Sequence, residues 1–78
     1  MPSREELIEN FKRLEAEAEE LRRKKADWPF IESQPPKLRA ALKYYVKTGD
    51  LRGSAKMAGM GMDEFKLLLI KAKVPTVL

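Results

Sequence analysis

Apolar residues recur along the first third of the chain at Leu7, Phe11, Leu14, Ala18 and Leu21, set among Glu, Lys and Arg. Their spacings are four, three, four and three, and two further steps reach Lys25 and Trp28. This alternation is the 3.5-residue repeat of a heptad seam. Ser3-Arg4-Glu5-Glu6 has the form of a capping box, and after it no Gly or Pro interrupts the strong helix formers until Pro29. The pattern predicts a helix over about residues 3–27, a rod of roughly 38 Å at 1.5 Å per residue. The stripe is narrower than the face of a helix that packs on a globular core. It therefore predicts a partner helix, with Leu7, Phe11, Leu14, Ala18 and Leu21 as a homodimerisation seam. Fold-back onto the rest of the chain is the alternative, and parallel and antiparallel pairing are both open.

The periodicity then changes. Trp28-Pro29-Phe30-Ile31-Glu32-Ser33-Gln34-Pro35-Pro36 holds three prolines, and Pro29 biases Trp28 towards an extended conformation. Residues 29–36 are expected to be a linker. Trp28, Phe30 and Ile31 are too apolar for a free tether and are expected to pack on the C-terminal helices. Ser33 or Gln34 is expected to precede the next helix. In that helix, over about 36–48, Leu38, Ala41, Leu42, Tyr45 and Val46 fall on one side. Gly49 is a natural stop and Asp50 a natural N-cap for a second helix over 51–58. Gly59 ends that helix, and a third is expected over about 62–73, stopped by Pro75. The tail, residues 74–78, is apolar and β-branched enough to be a short strand that pairs with a second copy. The expected organisation is all-α. It comprises a coiled-coil helix (residues 1–28), the linker (29–36) and a three-helix domain (37–78).

Residues 51–70 fit the constraints of a helix-turn-helix. Ala55 is small where the two helices cross, Ala58 is apolar, and Gly59 suits a left-handed turn. Met60 plugs the space beneath the turn, while Phe65 and Leu68 face the core. Arg52 and Lys56, four apart, share the outer face of the motif's first helix, whose N-terminus is suited to meet a phosphate. Lys37, Lys43 and Lys47 lie on the preceding helix. Such cations grip phosphate without reading sequence. On the motif's second helix the outward set is Gly61, Met62, Asp63, Lys66, Leu67 and Ile70. Lys66 suits guanine and Asp63 a cytosine amino group, with Met62 beside them. The run Leu67-Leu68-Leu69-Ile70 is too apolar for a groove-facing helix alone, and a second subunit would cover part of it. The expected DNA-contacting residues are Lys37, Lys43, Lys47, Arg52, Lys56, Met62, Asp63 and Lys66.

Charge agrees with a polyanion partner. The net charge of +4 over 78 residues is uneven. Residues 1–28 hold seven Lys/Arg against eight Asp/Glu, a net of −1, whereas residues 29–78 hold nine against four, a net of +5. The chain has no Cys and no His. This removes disulfides, thiolate ligands and the commonest general base, and there is no glycine-rich phosphate loop. Catalysis, metal binding and a cofactor are not expected. No apolar run approaches the ~18 residues of a membrane span, nor does the N-terminal sequence resemble a signal peptide. A cytoplasmic protein without membrane contact is expected.

A family resemblance adds to this. It is carried by Leu38-Arg39-Ala40-Ala41-Leu42-Lys43-Tyr44-Tyr45, Thr48-Gly49-Asp50-Leu51, Ser54-Ala55-Lys56-Met57-Ala58-Gly59-Met60, Glu64-Phe65 and Val74-Pro75-Thr76. Residues 37–78 so resemble small archaeal and bacterial antitoxin-like proteins with a C-terminal helix-turn-helix. The resemblance implies autoregulatory DNA binding or toxin neutralisation, and a DNA-contact role near Arg52, Lys56 and Lys66. The heptad helix departs from the strand-bearing N-terminus usual in such proteins. Lys/Glu-rich composition without Cys or His also fits a thermophile. The expected function is that of a dimeric DNA-binding protein, sequence-specific or architectural, acting as a transcription regulator or antitoxin-like autoregulator. The alternative is a protein-interaction module that uses the same scaffold without DNA.

Overall fold

A computed structural model describes residues 3–76, which form five helices and no strand: α1 (Arg4–Lys25), α2 (Trp28–Glu32), α3 (Pro36–Thr48), α4 (Leu51–Ala58) and α5 (Met62–Lys71). None of these helices is long and apolar enough to cross a membrane. Helices α2 to α5 and the C-terminal end of α1 gather into a head, from which the rest of α1 projects as an arm. The described residues extend 47 × 23 × 18 Å.

Each helix starts and stops for a local reason. Ser3 caps α1, its hydroxyl accepting from the backbone N–H of Glu6 at 3.2 Å. The segment expected to be an extended linker instead forms the single turn and a half of α2. Pro29 lies in its first turn, where a missing N–H costs nothing, and the Asp27 carboxylate accepts from the Phe30 N–H at 3.1 Å. Ser33, expected to precede α3, closes α2, its hydroxyl donating to the Phe30 carbonyl. The N-cap of α3 is Pro35, which offers no side-chain bond. Gly49 and Gly59 end α3 and α4 in the left-handed region, at φ 71° and 70°. At the second of these the Met60 N–H returns to the Ala55 carbonyl at 3.0 Å. Helix α5 ends at Lys71, two residues earlier than expected, because Lys73 turns left-handed (φ 58°) and the Val74 N–H reaches back to the Leu69 carbonyl. The expected tail strand is absent from residues 74–76, which carry no regular structure, and Val77 and Leu78 lie outside the described residues.

The core lies between α3, α4 and α5. Leu42, Phe65, Leu69 and Ile31 are fully buried, joined by Ala41, Tyr45, Val46, Ala55, Ala58, Ala72 and Val74. The Tyr45 and Phe65 rings meet edge-on with centroids 6.2 Å apart. Trp28 and Phe30 pack against this core, as their apolar character predicts, and the Asp27 N–H donates to the Ala72 carbonyl at 2.7 Å. The segments that lead into α2 and out of α5 are thereby tied together.

Arg22 fixes the arm to the head. It is buried, and its Nε donates to the Val46 carbonyl at 2.9 Å across 24 residues of sequence. Its guanidinium lies 5.8 Å from the Tyr45 ring centroid and packs on Gly49, where an added Cβ would come within 3.1 Å of Nη1. A cation at the carbonyl end of α3 is favoured by the helix dipole, and the aromatic face adds to it. Towards the N-terminus from Glu17, every described residue of the arm is exposed.

Candidate nucleic-acid interface

The α4–turn–α5 unit carries two cations that are open to a polyanion on one face of one helix. Ala55, Ala58 and Ser54 face inward, so the opposite side of α4 carries Arg52 and Lys56, both exposed. Neither takes part in an ion pair among the described residues. Gly53 lies on the same side and is constrained by the cap. The Asp50 carboxylate accepts from the Gly53 N–H at 3.0 Å, and a Cβ on Gly53 would collide with Asp50 Oδ2. The Tyr44 hydroxyl donates to the same carboxylate at 3.3 Å. The N-terminus of α4 thus already faces a carboxylate, which opposes the direct phosphate contact expected there. The available positive charge is on the flank of α4 rather than at its tip.

The three α3 lysines do not form one stripe. Lys37 sits at the other end of α4, where its ammonium would lie 2.9 Å from a Cβ on Gly59. Lys43 pairs with Glu32 of α2 at 2.7 Å. That hydrogen bond, with the nearby Lys43 and Arg39 charges, holds the Glu32 carboxyl below the usual carboxylate range against an opposing desolvation effect. Lys43 therefore has an exposed ion-pair partner that the sequence pattern did not reveal. Lys47 lines a groove of about 320 Å3 between α1 and α3, with Lys12, Glu15, Ala18, Glu19 and Arg22. Of the three, Lys37 alone adjoins α4.

Helix α5 turns Phe65, Leu69 and Ala72 into the core, at i, i+4 and i+7. Leu68, expected to face inward, is half-buried at the edge of that line, and Leu69 takes the buried place. Part of the apolar run is thus covered by the head itself. Opposite the core stand Asp63, Leu67 and Ile70, the last two 62% and 67% exposed, with Met62 exposed and Lys66 half-buried beside them. This pole offers one carboxylate and two aliphatic side chains, a poor match to phosphate and a sparse one to base edges.

The seam residues of α1 also lie open. Leu7, Phe11, Leu14 and Leu21 are 55%, 61%, 63% and 46% exposed, and Ala18 is half-buried where the arm meets the head. Sequence periodicity passed over Ile8, which widens the seam near its tip, and Met57, exposed next to Lys56. Ile8 was detectable as a second apolar residue adjoining Leu7. Arg22 gave no such signal, since a basic last turn is ordinary in any helix. Ser54 is buried with no partner for its hydroxyl. Compared with protein-family models, curated proteins and solved structures, the chain matches none, so the functional reading rests on its own residues.

Proposed function

We propose that this chain is a DNA-binding protein in which α4 and α5 act as a helix-turn-helix and α1 is the arm through which two copies associate. The observation that carries the reading is the outer face of α4. Arg52 and Lys56 stand exposed, outside any ion pair among the described residues, on a helix held by a tight left-handed turn at Gly59. They belong to the part of the chain with a net charge of +5. Lys37, beside the end of that helix, extends the same positive edge. Contacts of this kind grip the phosphate backbone and set orientation. The exposed pole of α5 has little with which to read bases, so binding is strongly salt-dependent and weakly selective for sequence. That character suits an architectural protein or an autoregulator acting at a local concentration of sites.

Fluorescence anisotropy of a labelled duplex, titrated with the full chain at two salt concentrations, tests the proposal. Affinity falls steeply with salt. The double variant Arg52→Ala, Lys56→Ala binds all duplexes more weakly, and its log–log salt slope is shallower by about 1.8 per head, from ~0.9 per lost phosphate contact. An unchanged slope in that variant would remove α4 from the interface.

A second reading is favoured by Leu67 and Ile70, which no part of the head covers. In it, the α5 pole engages a protein partner or another copy and the scaffold does not touch DNA. The variant Leu67→Ser, Ile70→Ser separates the two. Under the first reading it leaves the salt-dependent DNA binding and its dependence on Arg52 and Lys56 in place, and under the second it changes the oligomeric state or partner binding.

A further inference from the structure

The seam of α1 carries two patterns that any symmetric pairing must satisfy together, one of side-chain size and one of charge. In order the seam reads Leu7, Phe11, Leu14, Ala18, Leu21. Charge changes sign along the helix. Glu5, Glu6 and Glu9 outnumber Arg4 near the tip, while the last turn holds Arg22, Arg23, Lys24 and Lys25. Arg22 is turned into the head and the other three are exposed. Arg23 and Lys24 each pair with a glutamate four residues earlier, Glu19 and Glu20. Exposed pairs of this kind hold a side chain only weakly, so Lys24, on the flank of the seam, is available to a second helix.

We infer that two copies of this chain pair antiparallel along α1, with Leu14 near the two-fold axis and the heads at opposite ends of a shared rod. This rests on the self-association proposed above and gives it a direction. In a parallel pair, equal positions face each other, so Phe11 meets Phe11 and Ala18 meets Ala18, a wide layer and a hollow one. In the antiparallel pair the small Ala18 of each arm falls among Leu7, Phe11 and Leu14 of the other, and large packs on small. Charge favours the same direction. Parallel pairing sets acidic tip on acidic tip, basic collar on basic collar, and two heads of +5 side by side. Antiparallel pairing brings the acidic tip of each arm to the basic collar of the other, with Glu6 of one arm beside Lys24 of its partner on the same flank of the seam, while Glu5 and Arg23 face away from it. Access also agrees. Where α1 lies on α3, the buried Arg22 and Ala26 mark the side taken by the head, whose edge reaches the half-buried Ala18, and Leu21 stays open on the other side. A partner's tip therefore has a seat beside the collar. With the axis near Leu14, the two Arg22 attachments stand about 24 Å apart along the rod at 1.5 Å per residue.

The chain has no cysteine, so a single introduced one takes a spin label cleanly. Double electron–electron resonance on the full-length chain labelled at Glu6→Cys should give a label separation of roughly 25–35 Å, and mixing it with chains labelled at Arg23→Cys should add a separation below about 20 Å, both from the rise per residue. A short separation in the Glu6→Cys homodimer and a long one in the mixture would establish parallel arms and overturn this inference, leaving self-association intact. A monomer mass by light scattering, with no dipolar coupling, would overturn both. The DNA titration is independent of either result.

Discussion

The arm and the head hold similar side chains in opposite conditions. In the head, Phe65, Leu42 and Leu69 are fully buried, and each helix covers the apolar face of another. In the arm, Phe11, Leu14 and Leu7 keep more than half of their surface exposed. The head forms its core from within the chain. The arm is a regular, well-capped helix with nothing of its own to pack against. Periodic apolar residues therefore mean different things in the two regions. At 3.6-residue spacing with a broad face they build the head, and at 3.5-residue spacing with a narrow face they leave an exposed seam, for which a second helix is the proposed cover.

The largest expected effect sets one phenylalanine against the other. Phe65→Ala should destabilise the chain by about 3–5 kcal/mol in urea unfolding at any protein concentration. Phe11→Ala should show a loss that grows with concentration, because it acts only on the associated form. A concentration-independent loss at Phe11 would mean that the arm packs on its own head, and the contrast would fail.

A smaller effect lies at the joint between the two regions. Arg22→Ala removes the bond to the Val46 carbonyl and the packing on Tyr45 and Gly49. A loss of about 1–3 kcal/mol is expected for a buried charge-assisted hydrogen bond. Amide hydrogen exchange should quicken in residues 18–25, while the heart of α3 stays protected. Arg22→Lys should not restore the protection, because an ammonium lacks the planar fork that spans carbonyl and ring. Equal exchange in the variant and the parent would show that the arm is held by something other than Arg22.

The smallest effect is within the head. The Glu32 carboxyl, held below its usual range chiefly by its hydrogen bond to Lys43, favours the folded state once it is ionised in the unfolded chain as well. That contribution is complete above the unfolded value and is lost as pH falls through the lower, folded one. An NMR titration should find Glu32 as a depressed carboxyl, and Lys43→Ala should raise it towards the ordinary range. No rise in that variant would mean that Lys43 is free for a polyanion after all.

What was legible in the sequence depends on the reach of each interaction. The bounds of α3 and α4 could be read from Pro36, Gly49, Asp50 and Gly59, because prolines, caps and left-handed glycines act within a turn of where they stand. Helix α2 could not, being too short to show a period and flanked by prolines that read as a linker. On α5 Phe65 and Leu68 pack on the core as expected, but in a run of four aliphatics only the packing shows that Leu69 is the fully buried one. Among the candidate contacts, Arg52 and Lys56 could be placed on one face from their spacing alone. The pairing of Lys43 with Glu32 and the burial of Arg22 depend on tertiary neighbours 11 and 24 residues away, which no local pattern encodes.

The proposed contrast between a DNA-gripping head and a self-associating arm is tested most sharply by an amide NMR titration of the full chain with a short duplex. Shifts concentrated in α4 and the turn at Gly59, around Arg52 and Lys56, are expected, with residues 4–17 unmoved. Shifts centred on the arm, or on Lys43 and Lys47 with α4 silent, would contradict the division of roles between them.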